Sequence, residues 1–224
     1  MHWLETLKKE MLEITRTAAL EYYPAINGYE EPHYNLRYEH VKQVEREALK
    51  LLEVYSDADK DIVLAAVWTH DRFKPQFIGH DHGNRAADWV AENLESKGFP
   101  KEKVKAVEYA VRNHVGYDKN LLNIETLEAQ LLWDADKLAH CGPSYFFQQF
   151  FIFSAKKICD RNEDLTFSPT LSIDNVLPAL IREHSNLEIN YSKPTPYHLE
   201  ESWKIYIQKN EAVKVLIDAI QKQL

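Results

Sequence analysis

The run IVLAAVWTHD, residues 62–71, constrains the fold of this chain most. Seven consecutive apolar residues, Ile62 to Trp68, leave a helix no face for solvent, so the element belongs in the middle of a helical bundle. His70 follows Ala66 and Val67 by four and three residues, which puts it on a buried side of that helix. The run therefore ends by carrying His70 and Asp71 toward the interior, where a charge must be paired or bound to a metal.

The rest of the chain repeats the helical period. Val41, Val44, Ala48, Leu52 and Tyr55 form one stripe, with His40 at its edge. Ala86, Val90 and Leu94 form another, with His82 four residues before Ala86 on the inward side of the first turn. Val104, Val107 and Val111 continue into His114, and a further helix covers ETLEAQLLWDADKLAH. Ser56, with Asp59 three residues later, reads as the capped start of the apolar helix. Gly98 and Pro100 mark a stop. The segment YHLEESWKIYIQKNEAVKVLIDAIQKQL predicts a long C-terminal helix with Leu199, Trp203, Tyr206, Val213, Leu216 and Ile220 inward. Only 6 glycines in 224 residues favour helices over a turn-rich β architecture, and the length suits one domain spanning 1–224. The expected fold class is all-α.

The formal charge of −8, without a long basic block, argues against a nucleic-acid duplex or an anionic membrane as main partner. A phosphorylated small molecule stays open, because a local metal ion reverses the field. No run approaches the roughly 18 apolar residues of a membrane span. The start MHWLETLKKEMLEITRTAAL is amphipathic with no long apolar core, and Cys141 and Cys159 are the two cysteines; a cytoplasmic protein with reduced thiols is expected. The aromatic run SYFFQQFFIF reads as core first, with a homodimer contact or a base-stacking pocket mouth as its other uses.

Ionisable groups thus stand on buried helix faces at His40, His70, Asp71, His114 and at Asp134 or Asp136. Each could be hydrogen-bonded separately in the core. Together, neutral imidazoles and carboxylates are what a divalent ion needs. Asp134 and Asp136 lie about 200° apart on a helix, so they do not both reach one ion, and periodicity does not choose between them.

A histidine in one helix, His-Asp ending a second and an aspartate in DADKL resemble the HD-domain metal-dependent phosphohydrolases. The matching residues are His40, His70, Asp71 and Asp136, with Lys74 at the lysine many members carry after the doublet. EAQLLWDADKLAHCGP resembles the closing phrase of one bacterial branch. The resemblance runs over about 36–143. It implies an HD-domain-like bundle there; outside it, residues 3–22 read as a helix within an N-terminal segment 1–35, and 144–224 as a C-terminal helical extension. It implies metal ligation by His40, His70, Asp71 and Asp136, leaving Asp134 as an orienting or helix-face carboxylate. The implied cofactor is a divalent ion (Mn, Mg, Fe, Co, Ni or Zn), one or two per chain.

The expected activity is hydrolysis of a small phosphate ester or anhydride, a nucleotide foremost, with Asp71 also partnering the attacking water. His82 and His114 are either ligands of a second metal or proton donors and phosphate contacts beside one metal, and the second reading is preferred. Lys74, Arg85 and Lys137 are candidates to neutralise phosphate oxygens. Lys74 stands where one nucleotidase-like branch carries a catalytic glutamate, so that branch's substrate does not carry over. The alternatives are a di-iron oxygenase of the same fold, or a non-catalytic metal- or nucleotide-binding module.

Overall fold

The periodic stripes fold as α1 (His2–Tyr22), α2 (Leu36–Val54), α3 (Lys60–Thr69), α4 (Asp81–Asn93), α5 (Val104–Arg112), α6 (Leu127–Ala139), α7 (142–149) and α8 (Glu200–Gln221). The computed structural model describes residues 2–22, 32, 34–74, 81–116, 123–149, 181 and 196–223; among these there is no strand. Expectations for Cys159 and most of 150–195 fall outside the described residues.

Helix α3 is the axis of the bundle. Every residue from Ile62 to Thr69 is buried, and α1, α2, α5 and α6 pack around it. It is capped by Asp59 rather than by Ser56, which stands in the preceding turn. The Asp59 carboxylate accepts the N–H groups of Asp61 and Ile62 at 3.0 and 3.4 Å, satisfying two of the donors that a helix start leaves open. Gly98, at φ +86°, ends the turn that follows α4, as its position in the sequence predicts.

The C-terminal helix is tied to the core by polar contacts as well as apolar ones. Asp134, fully buried on α6, accepts the backbone N–H groups of His198 and Leu199, both at 2.9 Å, where the chain turns into α8. It thus anchors the C-terminal segment. Lys209 donates to Glu47 on α2 at 2.8 Å and to the Leu138 carbonyl at 2.6 Å. Gly142, at φ +85°, lets the chain leave α6 beneath that lysine: a Cβ there would stand 2.9 Å from the lysine stem. The inward face of α8 runs through Ser202, Asn210, Val213 and Ile217, with Trp203 and Tyr206 only partly buried. Phe146 joins Ile181, Val213 and Ile217 in a small satellite core, while Phe147 is exposed.

Replacing Asp134 with alanine strands two N–H groups in a buried place, at a cost of roughly 2–3 kcal/mol. The thermal midpoint should fall, and hydrogen exchange should quicken first over 198–221. Unchanged exchange there would show that Asp134 does not anchor α8.

Candidate metal centre

His70 and Asp71 follow the last turn of α3, and both are buried. The Nδ1–H of His70 donates to the Val67 carbonyl at 2.8 Å, the bond expected from an imidazole three residues past that carbonyl on a helix. This assigns the proton to Nδ1 and leaves the Nε2 lone pair facing the interior. That Nε2 lies 3.6 Å from Asp71 Oδ2 and 3.9 Å from Asp136 Oδ1, and it makes no hydrogen bond. His40, from α2, brings its Nε2 to 3.6 Å from Asp71 Oδ2 and 3.0 Å from Asp136 Oδ1. The shorter contact is not aligned as a hydrogen bond, and both His40 nitrogens are buried without one. Buried lone pairs of this kind are costly unless something electrophilic faces them. Spacings of 3.0–3.9 Å suit donors about 2.1 Å from a shared ion.

A second group meets the other side of the same carboxylate. His82, in the first turn of α4, and His114, just past α5, bring their Nε2 atoms to 3.4 and 3.7 Å from Asp71 Oδ1. The two Nε2 atoms are 3.2 Å apart, and Nδ1 of His114 is tied to the Val111 carbonyl. Gly83 makes this approach feasible, since a Cβ there would stand 2.6 Å from Val115 Cγ2 and 3.2 Å from His114 Cε1. His40–His70–Asp71, Asp71–His82–His114 and His40–Asp136–His140 are three overlapping triads with ligand atoms within 4.8 Å. Asp71 joins the first two.

Burial pushes His40 down to about 3, with His140 adding to the effect and Asp136 opposing it. Burial likewise pushes His70 down to about 4 against the charge of Asp71. For Asp71 burial acts in the opposite direction, yet the Arg37 guanidinium and the neighbouring histidines together hold the carboxyl well below the usual carboxylate range. Burial also raises Asp136, but with Lys137 as the leading opposing charge its carboxyl again lies well below that range. Neutral imidazoles and ionised carboxylates are the states a metal ligand set requires.

Of the cations expected at phosphate oxygens, Lys137 is turned inward. Its Nζ holds Asp136 Oδ2 at 2.5 Å and the His114 carbonyl at 3.1 Å, aiming the other Asp136 oxygen at His40. Arg85 is exposed and bonded to Asp81 at 2.9 Å. Lys74 is half-buried in the turn after the doublet, its N–H bonded to the Asp71 carbonyl at 3.0 Å. Two further residues stand at the centre: Arg37, passed over in the sequence, and His140, expected at the surface or behind the ligands. Arg37, three residues before His40 on the same face of α2, pairs with Asp71 Oδ2. His140, four residues after Asp136, packs its ring 4.5 Å from that of His40. In both, the helical spacing to a ligand was the available signal.

No family model and no curated protein matches this sequence. Solved structures do match its fold. A predicted HD superfamily hydrolase from an uncultured Thermotogales bacterium superposes with a TM-score of 0.59 at 18% identity, over 96% of this chain and 91% of that one. Bacillus subtilis YpgQ, solved in complex with ADP, gives 0.54 at 15% identity over 99% and 97% of the two chains. An HD-superfamily hydrolase from Bacillus thuringiensis gives 0.54 at 16% over the same shares. No helix among the described residues is long and apolar enough to cross a membrane.

The imidazole shifts predict how the metal-free chain responds to acid. Both folded values lie below the ordinary 6.5, so below that pH the unfolded chain takes up protons that native His40 and His70 refuse. Stability in chelator is therefore full above pH 6.5 and falls as the pH drops toward 4, by up to about 1.4 kcal/mol per pH unit for each group. Denaturant midpoints should decline over that window, and less steeply in His70→Gln. A flat profile would contradict the burial of neutral imidazoles.

Proposed function

We propose that this chain, which has the HD-domain fold, is a metal-dependent phosphohydrolase that cleaves a phosphate ester or anhydride of a small molecule, a nucleotide foremost. The observation that carries the reading is the set of buried, unsatisfied imidazole nitrogens of His40 and His70 facing the Asp71 and Asp136 carboxylates. A divalent ion held by these four residues would supply acidified water and offset the charge of the phosphoryl group.

The chain's own residues supply the rest. The Val67 carbonyl fixes the His70 tautomer, and Lys137 fixes the rotation of Asp136. Asp71 Oδ1 is placed to receive the proton of the attacking water, with His82 and His114 beside it to pass a proton to the leaving oxygen. The surrounding bundle keeps bulk water from the ligand carboxylates, both of them buried.

A second reading, a dinuclear centre bridged by Asp71, is favoured by the Asp71–His82–His114 triad on the far oxygen. The sequence alone favoured proton transfer for these histidines; the carboxylate they share with the first triad is what supports ligation in this second reading. Six such ligands also serve a di-iron oxygenase, which iron-dependent consumption of O₂ without phosphate release would identify.

The protein should release phosphate or pyrophosphate from a nucleotide panel with Mn²⁺, Mg²⁺, Co²⁺ or Ni²⁺. YpgQ was solved with ADP, so adenine nucleotides lead the panel. Asp71→Ala should lower turnover at least about 100-fold. Full turnover in His70→Ala would refute the assignment.

A further inference from the structure

We propose that Arg37 is the phosphate-binding residue of this site, held on Asp71 until a metal ion takes its place. The inference rests on the metal-centre reading above. Arg37 Nη1 donates to Asp71 Oδ2, the same oxygen that stands 3.6 Å from both His40 Nε2 and His70 Nε2. The guanidinium thus supplies, in the metal-free chain, the positive charge that the buried carboxylate needs. A divalent ion bound to that oxygen removes the need and repels the guanidinium.

The side chain can leave without disturbing its helix. The first turn of α2 is fixed by Asn35, whose side chain accepts the Tyr38 N–H at 3.2 Å and donates to Thr15 on α1 at 3.0 Å. Only the long arginine stem has to rotate. The Arg37 side chain is 24% exposed against 5% for Asp71, so it enters the site from the solvent side and is released toward it. A phosphate reaching the site from that side would meet the planar five-donor fork, which matches its oxygens.

Three of the nearby cations are committed elsewhere. Lys137 holds Asp136 and the His114 carbonyl, Arg85 holds Asp81, and Arg72 is stacked on Trp89 and paired with Glu10. Arg37 differs in that its anchor is the very oxygen a metal would claim.

Calorimetric titrations on the full chain test this: Mn²⁺ into chelator-stripped protein, then inorganic phosphate into the loaded protein. Arg37→Gln should bind Mn²⁺ about fivefold tighter, because the competing cation is gone, and phosphate about tenfold more weakly. Arg37→Lys should bind Mn²⁺ like the wild type but phosphate more weakly, since an ammonium lacks the fork. Equal or weaker Mn²⁺ binding by Arg37→Gln would mean that the arginine merely props Asp71, and would overturn the proposal. Phosphate binding that is unchanged in Arg37→Gln, or absent from loaded wild type, overturns it too. If the wild type takes up no Mn²⁺, the metal-centre reading itself fails; Mn²⁺ uptake with unaltered phosphate binding removes only the role of Arg37.

Discussion

A carboxylate buried at the end of a buried helix stays ionised only if its surroundings provide positive charge or donors on every side. Asp71 is that carboxylate, and much of the bundle is arranged around it. Helix α2 supplies Arg37 and His40, α3 supplies His70, and α4 and the end of α5 supply His82 and His114. Ordinary apolar packing would have favoured neutral side chains at these places. The proposed metal centre accounts for the retained charges, and the buried apolar helix that carries them gives the doublet a rigid base.

The supporting contacts act on the direction of side chains more than on their number. Arg72, next in sequence to Asp71, lies 3.7 Å over the Trp89 ring, and its Nη1 is 3.1 Å from Glu10 Oε2. The first and fourth helices thereby grip the chain immediately after the doublet. On the opposite side, Lys137 turns Asp136, and Asp134 two residues earlier fixes the start of α8. One short segment of α6 so links the proposed ligand set to the C-terminal helix.

Periodicity made the central features legible. An uninterrupted apolar run can only be an axial helix, and the three- and four-residue spacings placed His70, His82 and His114 inward. Resemblance, rather than periodicity, singled out Asp136 from Asp134, and the contacts of Asp134 with His198 and Leu199 explain why both are buried. Those contacts span more than sixty residues and leave no local pattern. The meeting of His82 with His114 depends on the missing Cβ of Gly83, which hydropathy does not register. The apolar pattern of α8 found residues that meet the core, with Leu199 and Val213 buried and Trp203, Tyr206, Leu216 and Ile220 packed partly buried against it, but it did not register the buried polar Ser202 and Asn210. Arg37 escaped notice because a lone arginine in a first turn reads as solvated until its partner is known.

The claim that Asp71 organises a metal centre is tested most directly by counting bound metal. Wild type, Asp71→Ala and His114→Ala would be loaded with Mn²⁺, freed of excess ion and measured for metal per chain. The account predicts bound metal in the wild type, none in Asp71→Ala, and retention at the His40–His70–Asp136 side in His114→Ala. Wild-type metal content in Asp71→Ala would contradict it.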